Sequence, residues 1–127
     1  GVPESFVERE KEHQRKEIER RMEKYRGSRP PIDLAGKTVV LVDDGVATGA
    51  TTLATIQALR KHEVKWLILA IPVAPPDTVA RLEKEVDQLI CLLTPEFFWA
   101  VGAFYQVFDQ TSDEEVIRLL HSAAPPA

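Results

Sequence analysis

The sequence predicts an α/β fold, a parallel sheet with flanking helices, on three observations. Thr38–Val42, Trp66–Val73 and Gln88–Leu93 are short apolar runs, and the stretches between them carry apolar residues at helical spacing. The run Trp66-Leu67-Ile68-Leu69-Ala70-Ile71-Pro72-Val73 is apolar throughout instead of alternating, as expected of a strand covered on both faces. The order strand, helix, strand, helix, strand is that of a parallel α/β unit.

Taken in order, Ser5-Phe6-Val7-Glu8 fits a capping box, in which the Ser hydroxyl and the Glu carboxylate each satisfy a backbone N–H. From there to about Arg26 the chain reads as a long, highly charged helix, with Val7, Ile18, Met22 and Tyr25 forming only a thin apolar stripe. Glu12–Lys16 and Glu17–Arg21 have the favourable acid-before-base spacing. The expectation is a solvated helix, since the heptads are too poor for a coiled coil. Gly27-Ser28-Arg29-Pro30-Pro31 ends the helix and stiffens the connection. Asp33-Leu34-Ala35-Gly36-Lys37 reads as a turn before the first strand.

The helix from Thr51 to His62 turns Leu53, Ile56 and Leu59 inward, and Lys61 and His62 complement its C-terminal dipole. Pro75-Pro76 starts the next helix, with Val79, Leu82 and Val86 on one side. After the third strand most of the aromatics fall between Phe97 and Tyr105. That segment reads either as core cover over the end of the sheet or as a stacking surface for a flat ligand. Thr111-Ser112-Asp113-Glu114-Glu115 supplies caps and acids for a final helix through Val116, Ile117, Leu119 and Leu120. The Ala-Pro tail from Ala123 is expected to be disordered. The predicted layout is a charged helix over 1–29, an α/β domain over 30–122 and a tail over 123–127.

At 127 residues the chain suits one domain with a moderate core, and its 44% hydrophobic and 28% charged residues are ordinary for a globular protein. A net charge of -4 argues against a nucleic-acid surface. Cys91, the only cysteine, leaves no intramolecular disulfide and is expected to be a buried, inert thiol. No apolar run is long enough to span a bilayer and the N-terminus is charged, so no membrane partner and a cytoplasmic setting are expected. The chain opens at Gly1 and enters a helix almost at once, as a piece of something longer would.

The stretch with chemistry is Val39-Val40-Leu41-Val42-Asp43-Asp44-Gly45-Val46-Ala47-Thr48-Gly49-Ala50-Thr51-Thr52. A strand ending in a Gly-bearing loop at a helix N-terminus offers unpartnered amides and a favourable dipole to an anion. Two acids cannot hold a phosphate; they suit hydroxyls or a hydrated cation. Together these features point to a sugar phosphate. A Walker A loop needs Lys-Ser/Thr after its last Gly, where this chain has Ala50-Thr51, and no G-x-G-x-x-G is present. An aspartyl phosphatase is disfavoured because adjacent Asp43 and Asp44 point to opposite sides of an extended chain. The bland alternative is a strand-turn-helix with Thr48 as a cap.

Apolar strand, two acids, three residues, Thr-Gly, one residue and Thr closely resembles the phosphoribosyl-diphosphate motif of type I phosphoribosyltransferases. Pro72-Val73-Ala74-Pro75-Pro76, the Phe97 to Phe108 segment, Asp109 to Val116 and the Tyr25-Arg26-Gly27 and Arg29-Pro30-Pro31 segments are similar to a family of bacterial and archaeal predicted phosphoribosyltransferases. The resemblance implies that Asp43 and Asp44 hold the ribose 2- and 3-hydroxyls, directly or through Mg²⁺ brought by phosphoribosyl diphosphate. It implies a 5-phosphate cradle of Ala47, Thr48, Gly49, Ala50, Thr51 and Thr52. The implied reaction is displacement of diphosphate by a nitrogen nucleophile, with a nucleobase as acceptor and Phe98 or Trp99 stacking on it. A homodimer is an expected assembly.

The sequence departs from the family at two places. Purine-salvage members carry an acid where Ala47 stands, whereas orotate-type members lack it too. Members also place a diphosphate-binding loop and a flexible catalytic loop ahead of the motif strand, where this chain has only the charged helix. The N-terminal half of the domain is therefore expected to lie outside this chain, which alone is expected to show no turnover. A non-catalytic sugar-phosphate sensor of the same fold is the alternative.

Overall fold

The computed structural model describes residues 1–27 and 30–123. The chain divides into two compact units, one of Gly1–Pro31 with Asp109–Ala127 and one of Ile32–Phe108. The final helix thus groups with the first. Ser28, Arg29 and the expected tail beyond Ala123 lie outside the described residues.

In the first unit, α1 (Glu4–Arg26) starts two residues earlier than the capping box predicts. Pro3 is the N-cap, and its carbonyl accepts from the amides of Phe6 and Val7 at 3.0 and 3.3 Å. Proline suits a helix start because its φ is fixed and it has no N–H to satisfy. Ser5 falls inside the helix and makes no cap. Glu17 pairs with Arg21 as expected and also with Arg20, whereas Glu8 pairs with Lys11 and no Glu12–Lys16 pair forms among the described residues. Val7, Ile18 and Met22 stay exposed, in keeping with a solvated helix.

The other helix of this unit, α4 (Asp113–Ala123), is capped by Ser112, whose hydroxyl accepts from the Glu115 amide at 3.2 Å. Asp113 ties it to α1, accepting hydrogen bonds from Tyr25 Oη at 2.6 Å, Lys24 Nζ at 2.9 Å and Arg20 Nη1 at 3.3 Å. The Tyr25 hydroxyl and then the two cations hold the Asp113 carboxyl well below the usual carboxylate range. A lowered acid contributes stability above its unfolded value of about 3.9, lost as pH falls through the lower folded value. The amide shifts of α4 are therefore expected to hold from neutrality into the range where ordinary carboxylates titrate, and to collapse only below it. Asp113→Asn should loosen α4 at neutral pH, and NMR titration checks both.

The second unit opens with a turn in which the Ala35 amide donates to Asp33 Oδ1 at 3.0 Å. It continues as β1 (Thr38–Val42), α2 (Ala50–Arg60), β2 (Trp66–Val73), α3 (Pro76–Glu83) and β3 (Gln88–Leu93). The sheet is parallel, ordered β1-β2-β3, with Val42, Ala70 and Ile90 in one row across it. Successive crossovers in the same direction put both helices on one face when each is right-handed. Ile56 of α2 and Leu82 of α3 accordingly share one core with Leu67, Leu69 and Ile71 of β2. Each such side chain, fully buried, contributes about 1.5–3 kcal/mol. At the far end of the sheet from the loop described below, Asp87 Oδ2 accepts from the Leu67 amide at 2.7 Å and from Arg60 Nη1 at 3.1 Å. This fixes the end of α2 against β2.

Both helices lying on one face changes the burial expected of the strands. On β2, residues 67, 69, 71 and 73 are buried, whereas 68, 70 and 72 are only half-buried. On the other strands Val40, Val42, Ile90 and Leu92 are exposed. Cys91 is half-buried, not buried as expected, because β3 is an edge strand. Val86 remains in the core although α3 ends at Glu83.

Candidate functional site

The candidate site is the loop Asp43–Gly49, which leaves the C-terminal end of β1 and enters α2. It is pinned in the middle: Val46 is buried, and its amide donates to the Val73 carbonyl at 3.0 Å. Gly45 lies so close to the underlying chain that a Cβ there would meet Val101 Cγ1 at 2.7 Å and Val73 Cγ1 at 2.9 Å. Gly49, with φ of 86°, is the N-cap of α2, so the helix starts at Ala50, one residue before the sequence expectation. The left-handed conformation suits glycine, which has no Cβ to clash.

The helix entry leaves several donors free. Among the described residues no protein group accepts from the amides of Thr48, Gly49, Thr51 or Thr52, and the Ala50 amide reaches Thr48 Oγ1 only at 3.5 Å. The first turn of α2 holds no acid. Unpartnered amides at a positive dipole end, with no carboxylate of their own, are suited to an external anion.

Asp43 and Asp44 are exposed at the loop's start, and the Asp44 amide donates to Asp43 Oδ1 at 2.8 Å. Loss of surrounding water raises the Asp44 pKa above the ordinary carboxylate range, and the neighbouring Asp43 carboxylate adds to this. A cation or a pair of hydroxyl donors would relieve the repulsion between two adjacent negative charges. Tyr105 braces the pair from the aromatic segment, its hydroxyl donating to the Asp44 carbonyl at 2.6 Å. No three His, Cys, Asp or Glu side chains among the described residues are grouped to hold a metal. Two carboxylates suit a hydrated Mg²⁺ that takes its remaining ligands from water and substrate phosphates.

The predicted site residues fall in two places. Asp43, Thr51 and Thr52 line a recess of about 50 Å³, with the Thr52 side chain itself buried. Ala47 and Thr48 line a cleft of about 380 Å³ together with Phe98 and Trp99, so the structure brings the loop and the stacking candidates together. Phe98 is half-buried and stacks on Phe104 with centroids 5.3 Å apart, while Trp99 is 88% exposed. Sequence reasoning missed Thr78 and Arg81 of α3, which complete the cleft wall. The available signal was slight: a threonine and an arginine three apart, hence on one side of α3.

This strand, loop and helix are those of a phosphoribosyltransferase domain, and comparison with known proteins agrees. The family model for the phosphoribosyl transferase domain matches residues 2–107, and the chain belongs to that family. It is 47% identical over 107 residues to proteins of two Mycobacterium tuberculosis strains named "Putative phosphoribosyl transferase". The match takes in 84% of this chain and 24% of theirs, so the chain spans about a quarter of the length of these curated relatives. A uracil phosphoribosyltransferase of Chlamydia muridarum is 36% identical over 55 residues, 43% of this chain and 18% of that protein. Among solved structures, TT1426 from Thermus thermophilus superposes with a TM-score of 0.80 at 39% identity, over 98% of this chain and 59% of that one.

Proposed function

We propose that this chain supplies the sugar-phosphate half of a site that binds 5-phosphoribosyl 1-diphosphate and transfers its phosphoribosyl group to a nitrogen nucleophile, a nucleobase. The observation that carries this reading is the set of unpartnered amides at the start of α2 directly behind the Asp43–Asp44 pair. Thr48 to Thr52, with Ala47, hold the 5-phosphate, and Asp43 and Asp44 accept hydrogen bonds from the ribose 2- and 3-hydroxyls. Mg²⁺ near the two acids, when bound, supplies positive charge to the departing diphosphate.

In the reaction the bond from C1 to the diphosphate oxygen breaks, and diphosphate leaves with the electron pair. The C1–N bond forms, and the nitrogen gives up a proton. Carboxylates beside the ring favour the positive charge that develops on it. The phosphate grip, remote from C1, provides binding energy for orientation. Phe98 and Trp99 offer flat faces to the acceptor. The expected setting is the cytoplasm.

Phosphoribosyl diphosphate with Mg²⁺ is expected to raise the melting temperature of the chain by several degrees at saturating ligand. Asp44→Asn is expected to remove most of that shift. No shift for the unmodified chain with Mg²⁺ present would sink the reading. A second reading, binding without turnover, is favoured by Ala47, which puts no titratable side chain in the loop opposite the acceptor. Diphosphate release across a panel of nucleobases, measured on the full-length protein that contains this chain, separates the two.

A further inference from the structure

We infer that Thr78 and Arg81 of α3 are positioning residues for the phosphate cradle, aiming the Thr48 and Gly49 amides by holding the carbonyls of Ala47 and Thr48; the inference rests on the 5-phosphate reading above. Thr78 Oγ1 donates to the Ala47 carbonyl at 2.7 Å, and Thr78 is only 2% exposed. The Arg81 guanidinium donates to the Thr48 carbonyl. The two side chains are three residues apart and so share one face of the helix. All described peptides are trans, and in a trans peptide the C=O and the following N–H point in opposite directions. Carbonyls drawn towards α3 therefore turn the Thr48 and Gly49 N–H groups away from it, side by side.

The loop cannot fix these peptides by itself. Ala47 has no polar side chain, Gly49 has no Cβ to restrict its rotation, and the Thr48 hydroxyl faces the Ala50 amide. An unheld loop would sample several peptide orientations, and an anion would have to select one of them. Donors fixed in advance avoid that ordering cost. The clamp is itself anchored, because Leu82, next to Arg81, is fully buried in the core. Thr78 acts without charge and so isolates positioning from simple attraction of an anion.

An isotope-labelled chain titrated with ribose 5-phosphate tests the clamp by NMR. In the unmodified chain the Thr48 and Gly49 amide resonances should shift as the ligand binds. Thr78→Val should weaken ribose 5-phosphate about tenfold and abolish that pattern, while Thr78→Ser restores both. Arg81→Gln, at an exposed side chain with little bearing on folding, should weaken binding in the same direction. Leu67→Val, in the core near the start of β2 and at the end of the sheet away from the loop, should lower the melting temperature but leave affinity within about twofold. Thr78→Val and Arg81→Gln binding like the unmodified chain would overturn the clamp alone, as would Leu67→Val weakening binding as much as Thr78→Val. An unmodified chain that ignores ribose 5-phosphate would overturn the 5-phosphate reading, and the clamp with it.

Discussion

Replacing Gly49 by alanine is expected to remove most of the chain's affinity for ribose 5-phosphate, a loss on the order of 30- to 100-fold. Two penalties combine. An L-residue held in the left-handed region that Gly49 occupies, at φ of 86°, costs about 1–2 kcal/mol. The new Cβ would also lie 3.1 Å from Arg81 Nη2 and 3.2 Å from Thr78 Cγ2, closer than side chains normally approach. Both penalties are relieved by the same movement, rotation of the loop away from α3, and that movement would turn aside the amides proposed to hold the phosphate. Calorimetric titration of the variant reads the loss directly. Affinity within threefold of the unmodified chain would show that the loop tolerates the rotation and that the cradle is not where the phosphate binds.

The second large effect lies in the core. Leu67→Ala is expected to cost about 2–5 kcal/mol of stability, since Leu67 is fully buried on the central strand. Val40→Ala, on the neighbouring strand but 53% exposed on the open face, should cost less than about 1 kcal/mol. Urea midpoints of the two variants make the comparison. Similar losses would mean that the open face is covered in solution. The contrast matters because sequence alone makes both residues look like strand interior.

That contrast marks where the sequence was legible. The strand-loop-helix around Asp43 to Thr52 could be read because apolar run, acids, glycine and helical spacing are all local. That the sheet is parallel followed from the alternation of elements, whereas the order β1-β2-β3 is seen only in the structure. Which side of each strand is covered could not be read, because it depends on both helices packing against the same face; hence the bare Val40 and Val42. The capping box at Ser5 lost to Pro3, whose restricted backbone starts the helix sooner. The hold of Thr78 and Arg81 on the loop spans 31 and 33 residues, and no periodicity or motif records a contact of that range. Asp113 belongs to the same class: its acid was read as a helix-start charge, but its partners Tyr25 and Lys24 lie 88 and 89 residues away.

The exposed Trp99 has a practical consequence. The chain has two tryptophans, and they sit at opposite ends of β2's reach: Trp66 begins the strand, while Trp99 lines the cleft beside Ala47 and Thr48. An indole open to water emits at long wavelength, and a flat occupant laid against it changes both colour and intensity. The molecule therefore carries its own optical gauge of cleft occupancy, with Trp66 as an internal standard that an occupant of the cleft would leave undisturbed. Trp66→Phe would leave a single fluorophore reporting from the cleft.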